Sequence, residues 1–345
     1  MKKSIFFILC LVMVLSCGAV KETLTEMYQM HSEKQLEKYV NSISEDNLRK
    51  HINVIASDEM QGRDTGSEGQ KKAGRYLIEQ YQSLGLSYPK GATSFYQHIP
   101  SKDMKSAWSP TLPDSENIWV FIEGSDKKDE VLVISSHYDH VGMKNGEIYN
   151  GADDNGSGTT ALLEMARAFV QAKNEGQTPR RSILFLHVTA EEYGLHGSRY
   201  YTNNPIVPLE NTIANINIDM IGRRGKGKET NDNYVYVIGS DRLSTDLHFL
   251  SESANKLVGL ELDYKYNDLN DPNRFYYRSD HYNFAKNGIP AIFYFDGVHE
   301  DYHKPSDIPD KIDFPLYTKR VKLAFTTAWK LANADNRPVV DKDGK

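Results

Sequence analysis

Residues 131–140 read Val-Leu-Val-Ile-Ser-Ser-His-Tyr-Asp-His. The first part, Val131–Ser135, is almost continuously apolar, which is typical of a strand covered on both faces of a sheet. His137 and Asp139 follow at once, and both side chains can bind a metal ion. The stretch therefore predicts a central strand whose carboxyl end carries the chemistry of the protein.

The same composition, rich in Val, Ile, Phe and Tyr, recurs along the chain and predicts further strands. These are Ile118–Ile122, Ile183–Val188, Ile213–Ile218, Tyr234–Ile238 and Ala291–Phe295. Apolar residues at helical spacing lie between several of them and also precede them. The expected helices cover Ser32–Ala56 with an interruption near Ser44, Gln70–Leu84, Gly158–Lys173, Gly197–Asn203, Leu243–Val258, Asp280–Asn287 and Leu316–Asn333. This alternation predicts an α/β fold, a single domain with a mostly parallel central sheet flanked by helices.

Composition excludes several classes of protein. The 345 residues include 41 Lys and Arg against 47 Asp and Glu, a formal charge of −6 that argues against a nucleic-acid partner. A hydrophobic content of 39% is enough to bury a core, which excludes a mainly disordered chain. Two cysteines cannot form a disulfide framework. The only long apolar run is N-terminal, so a transmembrane bundle is excluded.

The N-terminus has the pattern of a secretion signal. Lys2 and Lys3 precede an apolar run, Ile5–Leu15, that is shorter than the ~20 residues of a membrane span. The end of the run, through Cys17, resembles a bacterial lipobox, which implies cleavage before Cys17 and lipid on its thiol. An ordinary cleaved signal is the alternative. We expect an exported protein, either an outer-membrane lipoprotein, including one at the cell surface, or a periplasmic protein, with membrane contact through the lipid anchor only.

These boundaries divide the chain into four parts. Residues 1–16 are the expected signal peptide, 17–32 a tether, 33–335 the folded domain and 336–345 a tail.

Polar residues cluster directly after the predicted strands. His137 follows one strand, Glu191 and Glu192 the next, and Asp219 and His303 two later ones, while Asp153-Asp154 precedes a helix. Ligands of open α/β sheets bind outside the carboxyl ends of the strands, so these residues converge if the strands are parallel. Singly, each is ordinary: an Asp pair before a helix is commonly an N-cap. Together they offer the nitrogen and oxygen ligands of catalytic zinc.

Six segments resemble the co-catalytic zinc aminopeptidases of the M28 peptidase family, in family order. They are SSHYDHVG (135–142), NGADDNGSG (150–158), TAEEYGLHGS (189–198), NIDMIG (217–222), RSDHYNFAKNGIPAIF (278–293) and YHKPSD (302–307). The resemblance runs from about Ile52 to Ala332 and implies the zinc-exopeptidase fold, also called phosphorylase/hydrolase-like. The segment Gln97–Asn117 is too short for the protease-associated domain that several members insert there.

The resemblance implies a site with two Zn²⁺ ions. His137 and Asp219 would bind one ion, Glu192 and His303 the other, and Asp154 would bridge both. Two such ions hold an attacking hydroxide and polarise the scissile carbonyl.

The remaining residues of the site have roles outside the metal shell. Glu191 matches the general base, and Asp139 the carboxylate that orients His137. The family pattern also implies a cis peptide bond after Asp154. Tyr302 either donates to the oxyanion or only packs, and Arg278 either contacts substrate or forms a structural pair.

Other residues near these motifs have a structural interpretation. His140 and His281 are expected either to contact the ligand residues or to be structural, and His187 to lie in the core. The aromatic run 275–277 and the loop 267–273 are candidate walls of the pocket for the first side chain.

The predicted activity is removal of N-terminal residues from peptides with a free N-terminus. Shared ligands leave carboxypeptidase and dipeptidase activity open. A glutaminyl cyclase-like acyltransferase with a single zinc is an alternative enzyme. A catalytically inactive binding lipoprotein is the alternative from another class of protein.

Overall fold

The computed structural model describes residues 33–105 and 111–344. The predicted signal peptide, Cys17 and the tether lie outside the described residues. Among the residues it does describe, no helix is both long enough and apolar enough to cross a bilayer.

The helices occur where the apolar spacing predicts them. Ser44, where the interruption was expected, is the N-cap of the second helix, and its side chain accepts the N–H of Asn47. The helices are α1 (33–41), α2 (Glu45–Ile55), α3 (Glu68–Ser83), α4 (Gly158–Asn174), α5 (His196–Asn203), α6 (Thr245–Val258), α7 (His281–Ala285) and α8 (Phe314–Asn333).

All six predicted strands are present, and four short ones join them. The strands are β1 (Tyr96–Ile99), β2 (Ser115–Ile122), β3 (Lys127–His137), β4 (Met143–Lys144), β5 (Glu147–Ile148), β6 (Arg181–Val188), β7 (Thr212–Ile218), β8 (Tyr234–Ile238), β9 (Glu261–Asp263) and β10 (Ala291–Phe295). Eight of them form one sheet in the order β1-β2-β6-β3-β7-β10-β8-β9, and β4 and β5 form a separate hairpin.

The centre of the large sheet is parallel. β6, β3, β7 and β10 all run in one direction, whereas β2 is antiparallel to β6 and β8 is antiparallel to β10. In register, Ser135 is opposite Asn217, and His137 is opposite Val188. The predicted α/β class with a mostly parallel sheet is confirmed, and the four parallel strands present their carboxyl ends along one edge.

Helices cover both faces of this sheet. Successive side chains of a strand point to opposite faces. On one face of β10, Phe293 stacks on His281 of α7. On the other face, the hydroxyl of Tyr294 hydrogen-bonds Ser251 of α6 and Thr327 of α8. Because both faces are covered, every residue of the apolar strands β6, β7, β8 and β10 is buried.

Two other sequence predictions concern residues away from the site. His187 is fully buried in β6, and its Nε2 lies 2.7 Å from the hydroxyl of Tyr81, as expected of a core histidine. The predicted tail returns to the domain: the N–H of Val339 donates to Asp246, and that of Asp341 to the carbonyl of Leu243.

A buried arginine joins the N-terminal helices to the loops at the carboxyl edge of the sheet. Arg63 has no exposed surface, and its guanidinium donates to four main-chain carbonyls at 2.7–3.0 Å. Those carbonyls belong to Ile55, Tyr138, Asn150 and Gly151. One side chain therefore fixes the end of α2, the turn after β3 and the loop before α4 relative to one another.

We predict that Arg63→Met destabilises the fold by about 3 to 4 kcal/mol, because three of the four buried carbonyls lose their only donor among the described residues. The free energy of unfolding in urea measures this. Arg75→Met is the matched control, since Arg75 is exposed and pairs with the exposed Glu68; it should change stability little. Equal urea midpoints for the two variants would contradict this role of Arg63.

Candidate functional site

The predicted site residues lie together at the carboxyl edge of the parallel strands. His137 is the last residue of β3, and Asp219 follows β7 directly. Glu191 and Glu192 lie in the loop after β6, Asp154 lies in the turn before α4, and His303 lies in the loop after β10. Residues separated by up to 166 positions in sequence thus meet because four neighbouring strands end at one edge.

The first half of the cluster contains His137 and Asp219. His137 Nε2 lies 3.2 Å from Asp219 Oδ1 and 3.4 Å from Asp154 Oδ1. Glu191 belongs to the same group, since one carboxylate oxygen of Glu191 lies within 4.8 Å of ligand atoms of His137 and Asp219. This half offers one imidazole nitrogen and several carboxylate oxygens around one point.

The second half contains Glu192 and His303. His303 Nε2 lies 2.9 Å from Glu192 Oε2 and 3.0 Å from Asp154 Oδ2. The two carboxylate oxygens of Asp154 therefore face different histidines, one in each half. The peptide bond between Asp154 and Asn155 is cis, as the family pattern implies.

The donor set fits bound metal. Although His303 Nε2 and Asp154 Oδ2 are close, each is a buried polar atom without a hydrogen bond of acceptable geometry. Atoms that converge on a point without bonding one another are what a bound cation would satisfy. Imidazole and carboxylate are ligands that zinc accepts.

Electrostatics also favour bound cations. Burial opposes a charged imidazole, but the carboxylates of Asp219 and Glu191 raise the pKa of His137 well above its usual value. Burial raises the pKa of Glu191 well above its usual value. The charge of His137 lowers this pKa in part, and the carboxylate of Asp219 raises it further. The cluster thus holds excess negative charge that divalent cations would offset.

Asp139 contacts His137 differently from the prediction. The main-chain carbonyl of Asp139, rather than its carboxylate, lies 3.1 Å from His137 Nδ1; the nearest carboxylate oxygen is 3.8 Å away. The carboxylate instead accepts the N–H groups of Glu191 and Glu192 at 3.2 and 3.4 Å. β3 ends at His137, and the Asp139 carboxylate lies with the glutamate loop rather than against the His137 ring. Asp139 orients the glutamate loop directly and His137 through its backbone.

The structure adds two residues to this framework, Asp307 and Ser279, and shows the contact of His140, which the sequence analysis placed near the site. Asp307 accepts the N–H groups of Asp153 and Asp154 at 3.1 Å. Ser279 donates to Asp219 Oδ2 at 2.7 Å. His140 Nδ1 lies 2.7 Å from Glu192 Oε1, the oxygen that faces away from His303. All three occur within the motif segments, which is the only sequence signal for them.

Tyr302 and Arg278 line the cleft beside Glu191 and Asp219. The ring of Tyr302 stacks on that of His303, with centroids 3.9 Å apart. Burial and the nearby carboxylates raise the pKa of Tyr302, so its hydroxyl stays protonated and can donate. The exposed guanidinium of Arg278 lies over the ring of Phe275 at 4.8 Å.

The aromatic run contributes less to the cleft than expected. Phe275 lines it, together with Phe293 and Phe295. Tyr276 instead packs against Arg242 and His281, and Tyr277 packs edge-to-face against Tyr282. His281 itself is buried, and burial lowers its pKa to about 3, so it is a packing residue outside the metal cluster.

The fold and the cluster define an α/β protein with a histidine and carboxylate metal site at the edge of its sheet. Its sequence matches the model of peptidase family M28 over residues 117–328, more than half of the chain. The chain belongs to this family, and the recognition made from the motifs is confirmed.

Relatives and solved structures agree with this membership. A probable leucine aminopeptidase of Arthroderma otae is 26% identical over 257 residues, covering 72% of this chain and 66% of the relative. A zinc aminopeptidase from Bacillus subtilis has the same fold, with a TM-score of 0.65, 17% identity and coverage of 87% and 99%. So does the glutaminyl cyclase of Porphyromonas gingivalis, with a TM-score of 0.63, 19% identity and coverage of 83% and 97%. The chain spans two thirds or less of the length of each of these curated relatives, from 66% down to 18%.

We predict that Asp307→Ala weakens zinc binding about 10- to 100-fold, because the turn that carries Asp154 loses its acceptor. Asp307→Asn keeps one carbonyl oxygen and should give an intermediate affinity. Competition with a chelator measures the affinity, and circular dichroism checks the fold. Asp310→Ala is the control, since Asp310 is exposed nearby. A folded Asp307→Ala protein with unchanged zinc affinity would show that Asp307 does not support the site.

Proposed function

We propose that this protein is an aminopeptidase that uses two zinc ions to hydrolyse the first peptide bond of peptides with a free N-terminus. The observation that carries the proposal is the position of Asp154. Its two oxygens lie 3.4 Å from His137 and 3.0 Å from His303, with Asp219 on one side and Glu192 on the other. A carboxylate placed between two such half-sites suits a bridge between two ions.

His137, Asp219 and Asp154 would hold one ion, and Glu192, His303 and Asp154 the other. Bound zinc would supply Lewis acidity toward the scissile carbonyl and a lowered pKa for the attacking water.

Glu191 is the residue best placed to move protons. It lines the cleft, and within residues 33–105 and 111–344 its carboxylate has no hydrogen-bond donor that would hold it elsewhere. Its raised pKa suits a base that takes a proton from the attacking water and delivers it to the leaving amine. Asp139 holds the main chain of Glu191 and thereby positions this base.

The other cleft residues fit the remaining requirements of peptide hydrolysis. The Tyr302 hydroxyl donates to the carbonyl oxygen as negative charge develops on it. The acidic side chains around the cluster attract the ammonium group of the peptide N-terminus. Phe275, Phe293 and Phe295 provide an apolar wall for the first side chain.

We predict that Glu191→Gln keeps its zinc and loses at least about a hundredfold in kcat, because glutamine cannot accept the proton. Hydrolysis of leucine p-nitroanilide with elemental analysis of the same sample measures both properties. Glu210→Gln, an exposed glutamate in a surface turn, is the matched control. A zinc-loaded Glu191→Gln enzyme with near-normal kcat would assign the base to another group.

Metal content separates the aminopeptidase from the cyclase alternative, which the fold of the Porphyromonas enzyme keeps open. We predict two zinc ions per chain after dialysis, because both half-sites have a histidine and a carboxylate. One ion per chain, together with cyclisation of N-terminal glutamine, would favour the cyclase. Two ions with no turnover of any peptide would favour a binding lipoprotein.

We also propose that the protein is exported and anchored by lipid on Cys17, which would place the enzyme among extracytoplasmic peptides. The support is the sequence pattern before Cys17. Mass spectrometry of the mature N-terminus tests it, and an unmodified N-terminal peptide would contradict the anchor.

A further inference from the structure

A second groove continues from the metal cleft across the surface. It encloses about 1250 Å³ and shares Phe275, Arg278, Val298 and Tyr302 with the cleft. A space of this size accommodates more than one amino-acid side chain. A peptide whose first bond lies at the metal cluster can therefore place other residues in this groove.

The groove is basic although the chain as a whole carries a charge of −6. Six cationic side chains line it, against three carboxylates, Glu229, Glu300 and Asp313. The cations are Arg223, Arg224, Lys226, Lys265, Arg278 and Lys311. We call this surface the basic groove.

Half of these cations already have a carboxylate partner. Arg223 and Lys311 both pair with Asp301, at 2.9 and 2.7 Å, and Arg224 pairs with Asp313 at 2.7 Å. These three therefore contribute mainly to the structure of the groove wall.

The other three cations have no carboxylate within 4.0 Å among the described residues. Lys226 is exposed near Glu229, whose carboxylate accepts the N–H of Gly227. Arg278 and Lys265 are instead held by aromatic rings. The guanidinium of Arg278 lies 4.8 Å from the ring centre of Phe275, and the ammonium of Lys265 lies 5.1 Å from that of Tyr266.

The two rings pack on each other, with centroids 4.7 Å apart, so Arg278 and Lys265 belong to one aromatic platform. Cation–π contacts restrict the position of a charge but leave its hydrogen-bond donors free. A guanidinium of this kind is suited to bind a carboxylate through two parallel hydrogen bonds.

We propose that the enzyme prefers peptides with a carboxylate beyond the scissile bond, which Arg278 and Lys265 bind in the basic groove. This inference rests on the proposed aminopeptidase activity and names its substrate class. The carboxylate has two possible sources in a peptide, an acidic side chain or the free C-terminus of a short peptide. Both present the same group to the groove.

Four tetrapeptides with N-terminal leucine test the proposal and separate the sources. In two of them the other three residues are alanine, and one of these peptides ends in a free carboxylate and the other in an amide. The second two have aspartate at the third position, again one with a free carboxylate and one with an amide. We expect kcat/KM to be about tenfold higher with a carboxylate than for the neutral amide, as for one ion pair at a partly solvated site. Preference for aspartate in the amidated pair identifies the side chain, and preference for the free end in the alanine pair identifies the C-terminus.

Reversing the charge of both side chains then tests whether they cause the preference for acidic peptides. In the double variant Arg278→Glu and Lys265→Glu, the ratio of kcat/KM between acidic and neutral peptides should fall below one, and a lysine peptide should become the better substrate. Lys173→Glu is the matched control: Lys173 is exposed at the far end of α4, about 24 Å along the helix from the metal turn. Thermal unfolding confirms that the variants are folded.

The outcomes separate this inference from the proposed function. Equal kcat/KM for all four peptides, or a preference for acidic peptides that survives the double variant, would overturn the role of the groove and leave the aminopeptidase intact. Absence of cleavage of any peptide by the zinc-loaded enzyme would overturn the proposed function itself.

Discussion

Parallel hydrogen bonding between β3 and its neighbours sets the positions of the metal cluster. Ser135 is opposite Asn217, so the residues two positions further along, His137 and Asp219, leave the sheet at the same level. Neighbouring strands lie about 4.8 Å apart, which brings an imidazole and a carboxylate on adjacent strands within reach of a common ion. A shift of one residue in this register would turn either side chain to the opposite face of the sheet.

The metal cluster brings several carboxylates together in a buried site. Hydrogen bonds from the surrounding residues hold these carboxylates in position. Asp139, Ser279 and Asp307 each contact a ligand residue or the glutamate beside it, and Arg63 braces the loops behind them. Hydrogen bonds to a carboxylate favour its charged form, while burial opposes it. Bound cations would complete the balance that these contacts begin.

The sequence was sufficient for the architecture and for the residues that come together at the site. Apolar, β-branched runs such as Tyr234–Ile238 and Ala291–Phe295 predicted strands with the observed bounds, because strands buried on both faces leave an unbroken pattern. Asp307 and Arg63 could not be assigned in this way. Their function depends on contacts with residues more than 70 positions away, which no local pattern records.

The contacts of Asp139 show a second limit of sequence reasoning. The motif identifies Asp139 but does not say which of its oxygens lies next to His137, because that depends on contacts with the loop after β6. The aromatic run at 275–277 also differs from its prediction. Its three consecutive residues form a short helical turn, so only one ring faces the cleft.

The contact between Asp307 and the turn at Asp154 also bears on the order of assembly. Asp154 precedes its partners by a long stretch of sequence. Asp307, which accepts the N–H groups of the turn, and His303 both follow it by about 150 residues. Pairing of the intervening strands β6, β7 and β10 brings the two ends of this long segment together. A nascent chain still short of residue 303 therefore lacks both His303 and Asp307 of the cluster.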